Sequence, residues 1–148
     1  MDDSSWFVVT HIGDGIFFIR EDHHWERVRA YLFVGPSQPI LVDTGTGIRN
    51  IRREVIQKLT DTEIIVVTTH CHWDHIGGHS QFELIYVHED EIEWMKQGIP
   101  VPLADVRRTL MNGRVDLQLC PDFDVSTYVP PKIPAPCPLN HGDRLSNG

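Results

Sequence analysis

A run of six β-branched residues, Ile64-Ile65-Val66-Val67-Thr68-Thr69, passes without a break into His70-Cys71-His72-Trp73-Asp74-His75-Ile76-Gly77-Gly78. No other segment limits the fold as strongly. The apolar run reads as a strand covered on both faces, which belongs inside a layered sheet. The polar cluster then falls at the C-terminal end of that strand, where open α/β sheets place their sites. Three imidazoles and a carboxylate in so short a stretch repel one another if protonated and desolvate badly if buried unpaired. A divalent cation removes the conflict, and zinc accepts both neutral histidine nitrogen and carboxylate oxygen. Four donors on one loop cannot all reach a single ion tetrahedrally. His70 and His72, two apart, point the same way from an extended segment. Asp74 and His75 then aim at a neighbouring position. The pattern suggests two adjacent metals, a geometry used for hydrolysis through a bridging water. Gly77-Gly78 permits close backbone approach to the loop. The competing reading, a chance His-rich surface turn, leaves the preceding strand and the double glycine unexplained.

The rest of the chain places this block in an α/β arrangement. Phe7 to Thr10 and Gly15 to Arg20 read as strands around the turn signal Gly13-Asp14-Gly15. Ala30 to Val34 and Ile40 to Asp43 read as a hairpin around Gly35-Pro36-Ser37-Gln38-Pro39. Ile48, Ile51, Val55 and Leu59 mark one helical face. Leu84 to Val87 is a further strand, and Glu89 to Gln97 a helix led by acids and closed by Gly98. Strands and helices thus alternate up to Gly98. Beyond it, Val101 to Met111 holds a short helix, and the proline-rich Pro121 to Pro138 reads as an extended loop rather than a second domain.

At 148 residues one domain is the natural expectation. The 13 Lys+Arg against 21 Asp+Glu give a net charge of −8, which argues against non-specific binding to nucleic acid. No apolar run reaches the ~20 residues of a membrane span. Met1 to Ser5 is polar and acidic, unlike a secretory signal. Three cysteines, Cys71, Cys120 and Cys137, are an odd number for a disulfide framework and favour a reducing cytoplasm. Cys71 lies between two candidate ligands, so its side chain alternates away from them. It reads as a packed thiol rather than a redox handle.

The block from Thr69 to Gly78 resembles the T-H-x-H-x-D-H signature of the metallo-β-lactamase superfamily. Ile40-Leu41-Val42-Asp43-Thr44-Gly45 is similar to the strand with aspartate and glycine that precedes the signature there, and Gly13-Asp14-Gly15-Ile16-Phe17-Phe18 resembles the early hairpin. The likeness covers roughly residues 6 to 98, with an echo at Gly142-Asp143. It implies an αββα sandwich, usually two zinc ions, and a metal-bound hydroxide attacking an ester, thioester, amide or phosphodiester of a small-molecule substrate. His70 and His72 would serve the first metal. Asp74 and His75 would serve the second, with Asp74 as the candidate catalytic residue that orients the water. Asp43 would support the metal loop, or simply form the turn at a strand end. Thr68 to Gly78 is also similar to the motif of hydroxyacylglutathione hydrolases, which makes a thioester the leading substrate class. Trp73 is part of that likeness, and as a side chain reads as packing.

The resemblance also implies a third histidine for the first metal, a bridging aspartate and a last histidine, all from a C-terminal half, and no matching turn occurs here. The 148-residue chain is therefore expected to be an N-terminal half of the sandwich and a poor catalyst alone. A half-sandwich leaves an apolar sheet face bare, so a homo-oligomer, a partner half or aggregation is expected. His79, His88 and His141 are potential local donors that read as structural or surface histidines. Two rivals remain. A non-catalytic metal-binding or interaction module would bind metal without turnover. Val42-Asp43-Thr44-Gly45 also matches the triplet of aspartic proteases, which in one copy requires a retroviral-type dimer and leaves the histidine cluster without a role.

Overall fold

The computed structural model describes residues 5–145. Met1 to Ser4, most of the polar start noted above, and Ser146 to Gly148 at the tail lie outside the described residues. Seven strands form one sheet in the order of the chain: β1 Val8–Gly13, β2 Ile16–Arg20, β3 Arg29–Phe33, β4 Ile40–Val42, β5 Ile65–Val67, β6 Leu84–His88 and β7 Cys137–Leu139. β1 to β4 are antiparallel neighbours, and β4 to β7 are parallel. The change of direction follows the connections. Connections of two, eight and six residues without helix join the first four strands, whereas helical segments return the chain between the later ones.

The turn between β1 and β2 is a two-residue loop of Asp14 (φ 47°) and Gly15 (φ 73°). Left-handed conformation at both positions matches the right-handed twist of the flanking strands, and Asp-Gly is its natural sequence. β4 ends at Val42, where its apolar run ends and one residue before the expected boundary at Asp43, which turns to φ 60°.

Strand register sorts the side chains cleanly. Phe17, Leu32, Leu41, Val66 and Ile85 align on one face. That face packs into the core with Ile51, Val55, Ile56, Met95, Val106 and Leu110 from the helical segments. The opposite face carries the row Phe18, Tyr31, Val42, Val67 and Tyr86, partly buried to exposed and outside the core cluster. The fold is thus α/β, a mixed sheet with one helix-covered face and one apolar face open, as in half of an αββα sandwich.

The single helix expected from Ile48 to Leu59 is broken. α1 spans Ile51–Glu54, with the Asn50 side chain accepting from Arg53 N, and a 3-10 turn follows at Ile56–Lys58. β-branched residues at 51, 55 and 56 resist regular helix, and tightening the turn buries Val55 and Ile56 together while Leu59 stays half-buried. α2 is the short Trp73–Ile76. The acid-led helix starts as a 3-10 turn at Glu89–Glu91 and continues as α3, Ile92–Gln97, closed by Gly98 at φ 102°. α4 spans Leu103–Leu110. The expected loop from Pro121 to Pro138 needs one correction. Its end forms β7, whose Pro138 sits on the sheet edge, where a missing N–H costs no ladder bond.

Candidate active site

Three neighbouring parallel strands, β4, β5 and β6, send their C-terminal ends in one direction. The loop after β4 holds Asp43 to Gly47, the loop after β5 holds Thr69 to His72, and the turn after β6 holds Glu91. Asp43 is buried and binds the start of the histidine loop: its Oδ1 accepts from Thr69 N at 2.8 Å and its Oδ2 from Thr69 Oγ1 at 2.7 Å. Glu91 accepts from Cys71 N. The segment that carries His70 and His72 is therefore clamped on either side by a carboxylate.

Within it the side chains alternate as expected. Cys71 is buried and its thiol is pushed up to about 12 by burial and by the nearby Glu91. It stays protonated near neutral pH. His70 and His72 face the other way, with His70 Nε2 and His72 Nδ1 3.1 Å apart. α2 then folds back so that the His75 ring stands 4.1 Å from that of His70, centroid to centroid. Asp74 reaches His75 Nε2 at 3.5 Å. The structure thus brings His70, His72, Asp74 and His75 together.

The return of α2 depends on Gly77 and Gly78. Gly77 N donates to Gly45 O at 2.9 Å, and Thr44 N to His75 O at 2.9 Å. A Cβ on Gly77 would collide with the Thr46 carbonyl group, and one on Gly78 would stand 2.8 Å from Thr44 O.

Hydrogen bonds, burial and neighbouring charges set the proton balance of these rings in opposite directions. His75 Nδ1 lies 2.7 Å from Asp43 Oδ2. An ionised carboxylate only accepts, so Nδ1 carries the proton and the lone pair sits on Nε2, on the Asp74 side. Burial lowers the His75 pKa, but the hydrogen bond to Asp43 and the charges of Asp43, Asp74 and Glu26 outweigh it and raise the value. His70 is held below its ordinary value by burial and by His75 and His72, which favours the neutral ring that a metal requires.

These donors suit zinc in chemical type, and the Asp43–His75 pair is the kind of contact that orients a ligating imidazole. Among the described residues, however, no group of three or more His, Cys, Asp or Glu is positioned around a common point for an ion. The fit is to a partial site: two imidazoles on one side, an imidazole and a carboxylate on the other.

The remaining candidates lie apart from this role. His79 is buried with both ring nitrogens taken, by Thr44 Oγ1 at 2.7 Å and Thr68 Oγ1 at 2.8 Å. Burial lowers its pKa to about 4. His88 is exposed and pairs with Asp90, and His141 is exposed. Trp73 packs edge-on against His24 at 5.9 Å. The oxygens of Asp43 are committed to Thr69 and His75, which is a supporting role and not that of a proton-sharing protease dyad.

Sequence reasoning missed three supports. Glu21 is buried beneath the β4 loop and accepts from Trp6 Nε1 at 2.9 Å, Thr46 N at 2.8 Å and Thr46 Oγ1 at 2.5 Å. Desolvation raises its pKa against those three bonds. Tyr128, from the proline-rich segment, donates to Thr46 O at 2.8 Å and lies 3.4 Å from Trp73 O. Glu91 completes the set. An acid directly after the apolar β2 is a faint signal for Glu21; Tyr128 has none, because its partners are far away in sequence.

A profile of the metallo-beta-lactamase superfamily matches residues 25–144. A protein of Homo sapiens described as acyl-coenzyme A thioesterase MBLAC2 is 32% identical over 111 residues, an overlap of 66% of this chain and 40% of the human protein. The chain therefore spans well under half the length of that relative. BJP-1, a subclass B3 metallo-beta-lactamase of Bradyrhizobium japonicum, superposes with a TM-score of 0.63 at 16% identity, covering 97% of this chain and 49% of that one. The class B3 di-zinc metallo-beta-lactamase LRA-12 from an Alaskan soil metagenome superposes with a TM-score of 0.52 at 21% identity, covering 68% and 40%. At such identities the superpositions speak for the fold.

Proposed function

The chain belongs to the metallo-beta-lactamase superfamily, and from that premise we propose that it carries half of the metal site of a hydrolase acting on a thioester or ester of a small molecule. The observation that carries the reading is the meeting of His70, His72 and His75 at the strand ends, with Asp43 on His75 Nδ1. His70 and His72 would hold one zinc ion, and Asp74 and His75 a second. Bound there, zinc supplies Lewis acidity and makes water available as a nucleophile near neutral pH.

The chain's own residues prepare that site. Asp43 fixes the His75 tautomer so that Nε2 is the free donor. Asp74, partly exposed beside that nitrogen, is placed to accept a proton from water. Buried Cys71 and the Thr69 and Glu91 contacts hold the loop rigid, which keeps paired donors at working distance. The relative described as an acyl-coenzyme A thioesterase supports a thioester as the first substrate class to try.

A non-catalytic metal-binding module is the second reading, favoured because no three-donor group surrounds one point among the described residues. We place the chain in the cytoplasm on its three free cysteines. Among the described residues no helix is long and apolar enough to cross a membrane. The open row of Phe18, Tyr31 and Tyr86 is the proposed contact for a covering half or a second copy.

The test is an acyl-thioester hydrolysis assay of the chain and of a version extended by a C-terminal half-sandwich, with added zinc. The extended protein should turn over substrate, stop with chelator, and lose at least a hundredfold in rate with Asp74→Ala. Metal uptake without turnover in either form would favour the second reading. Chelator-insensitive hydrolysis would refute the first.

A further inference from the structure

An apolar cleft of about 210 Å³ opens directly beside His72, walled by Trp73, Trp94, Ile99, Val101 and Val106. A second cleft of about 250 Å³ shares Ile99, Val101 and Val106 with it and continues past Val129 to Lys132. The two clefts adjoin across these shared side chains, and together they form a grooved surface that starts at a candidate metal ligand and follows α4 outward.

The groove is built on anchored elements. The turn after α3 is closed by Gly98 at φ 102°. Ile133 N donates to Met95 O at 2.9 Å, which fastens the far wall to α3. Arg107 Nε donates to Tyr128 O at 2.9 Å, which fastens α4 to the same segment. Tyr128 in turn is bonded to the β4 loop of the site. Groove and site therefore share one support.

Its rim leaves large apolar side chains in water: Trp94 is 43% exposed, Val101 48% and Val129 56%. The core does not need them, since α3 and α4 already bury Met95, Val106 and Leu110. A contiguous exposed apolar strip that begins at a polar reactive loop is the form of a ligand subsite.

We propose that this groove is the acyl-chain subsite, binding an unbranched apolar acyl group with its carbonyl end at His72 and its tail along α4. The proposal rests on the thioester or ester reading above and adds the chain-length preference and the residues that set it, Trp94 and Val101. The occupant follows from continuity. A substrate whose carbonyl reaches His70 and His72 meets these apolar walls directly at His72. α4 alone runs about 12 Å, enough for several methylenes.

The test uses binding, so it does not depend on turnover. Straight-chain S-alkyl N-acetylcysteamine thioethers, butyl to dodecyl, cannot be hydrolysed and are titrated into the metal-free chain by calorimetry. Affinity should rise about fourfold for each methylene buried, up to a length at which the groove is full. Val101→Asp and Trp94→Ala, both at exposed positions, should weaken dodecyl binding at least tenfold. Val9→Asp, an equally exposed apolar position on β1, should leave it unchanged. Length-independent binding, or equal losses in Val101→Asp and Val9→Asp, would overturn the subsite. So would a dimer in sedimentation that Val101→Asp dissociates without changing thioether affinity, because the groove would then hold a second copy. Length-dependent binding by a protein that never hydrolyses thioesters would keep the groove and remove the hydrolase reading instead.

Discussion

Replacing Asp43 by asparagine tests whether the carboxylate organises the metal loop. Asparagine keeps the size of the side chain and tolerates the φ of 60° found here. Alanine would add backbone strain of about 1–2 kcal/mol and blur the result. The native carboxylate accepts from Thr69 N at 2.8 Å, Thr69 Oγ1 at 2.7 Å and His75 Nδ1 at 2.7 Å. An amide can offer only its oxygen as acceptor. At least one of the three donors then faces an NH2 group, or His75 changes tautomer and gives up its free Nε2. Losing one charge-assisted bond in a buried position costs about 1.5–3 kcal/mol. For a chain of this size that lowers Tm by about 3–12 °C. Zinc affinity should fall about 10- to 100-fold, the usual effect of removing the group that orients a ligating histidine. Thermal unfolding and equilibrium dialysis against buffered zinc read the two effects separately. Native Tm together with native zinc affinity in Asp43→Asn would refute the reasoning.

Gly77→Ala should cost about 3 kcal/mol or more, because the added Cβ meets the Thr46 backbone, which cannot rotate away; urea unfolding measures it. His79 titrates near 4 in the folded chain against 6.5 unfolded, so below pH 6.5 the unfolded state binds more protons and stability falls. That group should account for about 3 kcal/mol lost between pH 6.5 and 4; the pH dependence of unfolding should be correspondingly flatter in His79→Gln than in the native chain.

The parts of the site that were legible in the sequence are those carried by local patterns. The strand before His70 is visible in its β-branching, and the facing of His70 and His72 away from Cys71 follows from two-residue alternation. Gly77 and Gly78 announce a close approach because only their missing Cβ atoms allow it. Asp43 was visible as a support, but its bonds to Thr69 and His75 span 26 and 32 residues, and no local signal carries such a pairing. Glu21 and Tyr128 lie further still from pattern. Their value comes from Thr46, which each reaches only after the sheet and the proline-rich segment have folded. The break in the first helix was hidden for a different reason: periodicity marks which residues want burial, not how a helix full of β-branched residues tightens to bury Val55 and Ile56 at once. In the same way, β7 was masked by its proline, which excludes a central strand but not an edge.

Zinc content is the most direct test of the central assignment. The chain and its His70→Ala/His72→Ala variant are dialysed side by side against buffered free zinc, and bound metal is measured by elemental analysis alongside circular dichroism. The native chain should take up zinc in a whole-number ratio, and the variant should keep the fold and lose that stoichiometric metal. A folded variant with undiminished zinc would contradict the assignment of His70 and His72 as ligands.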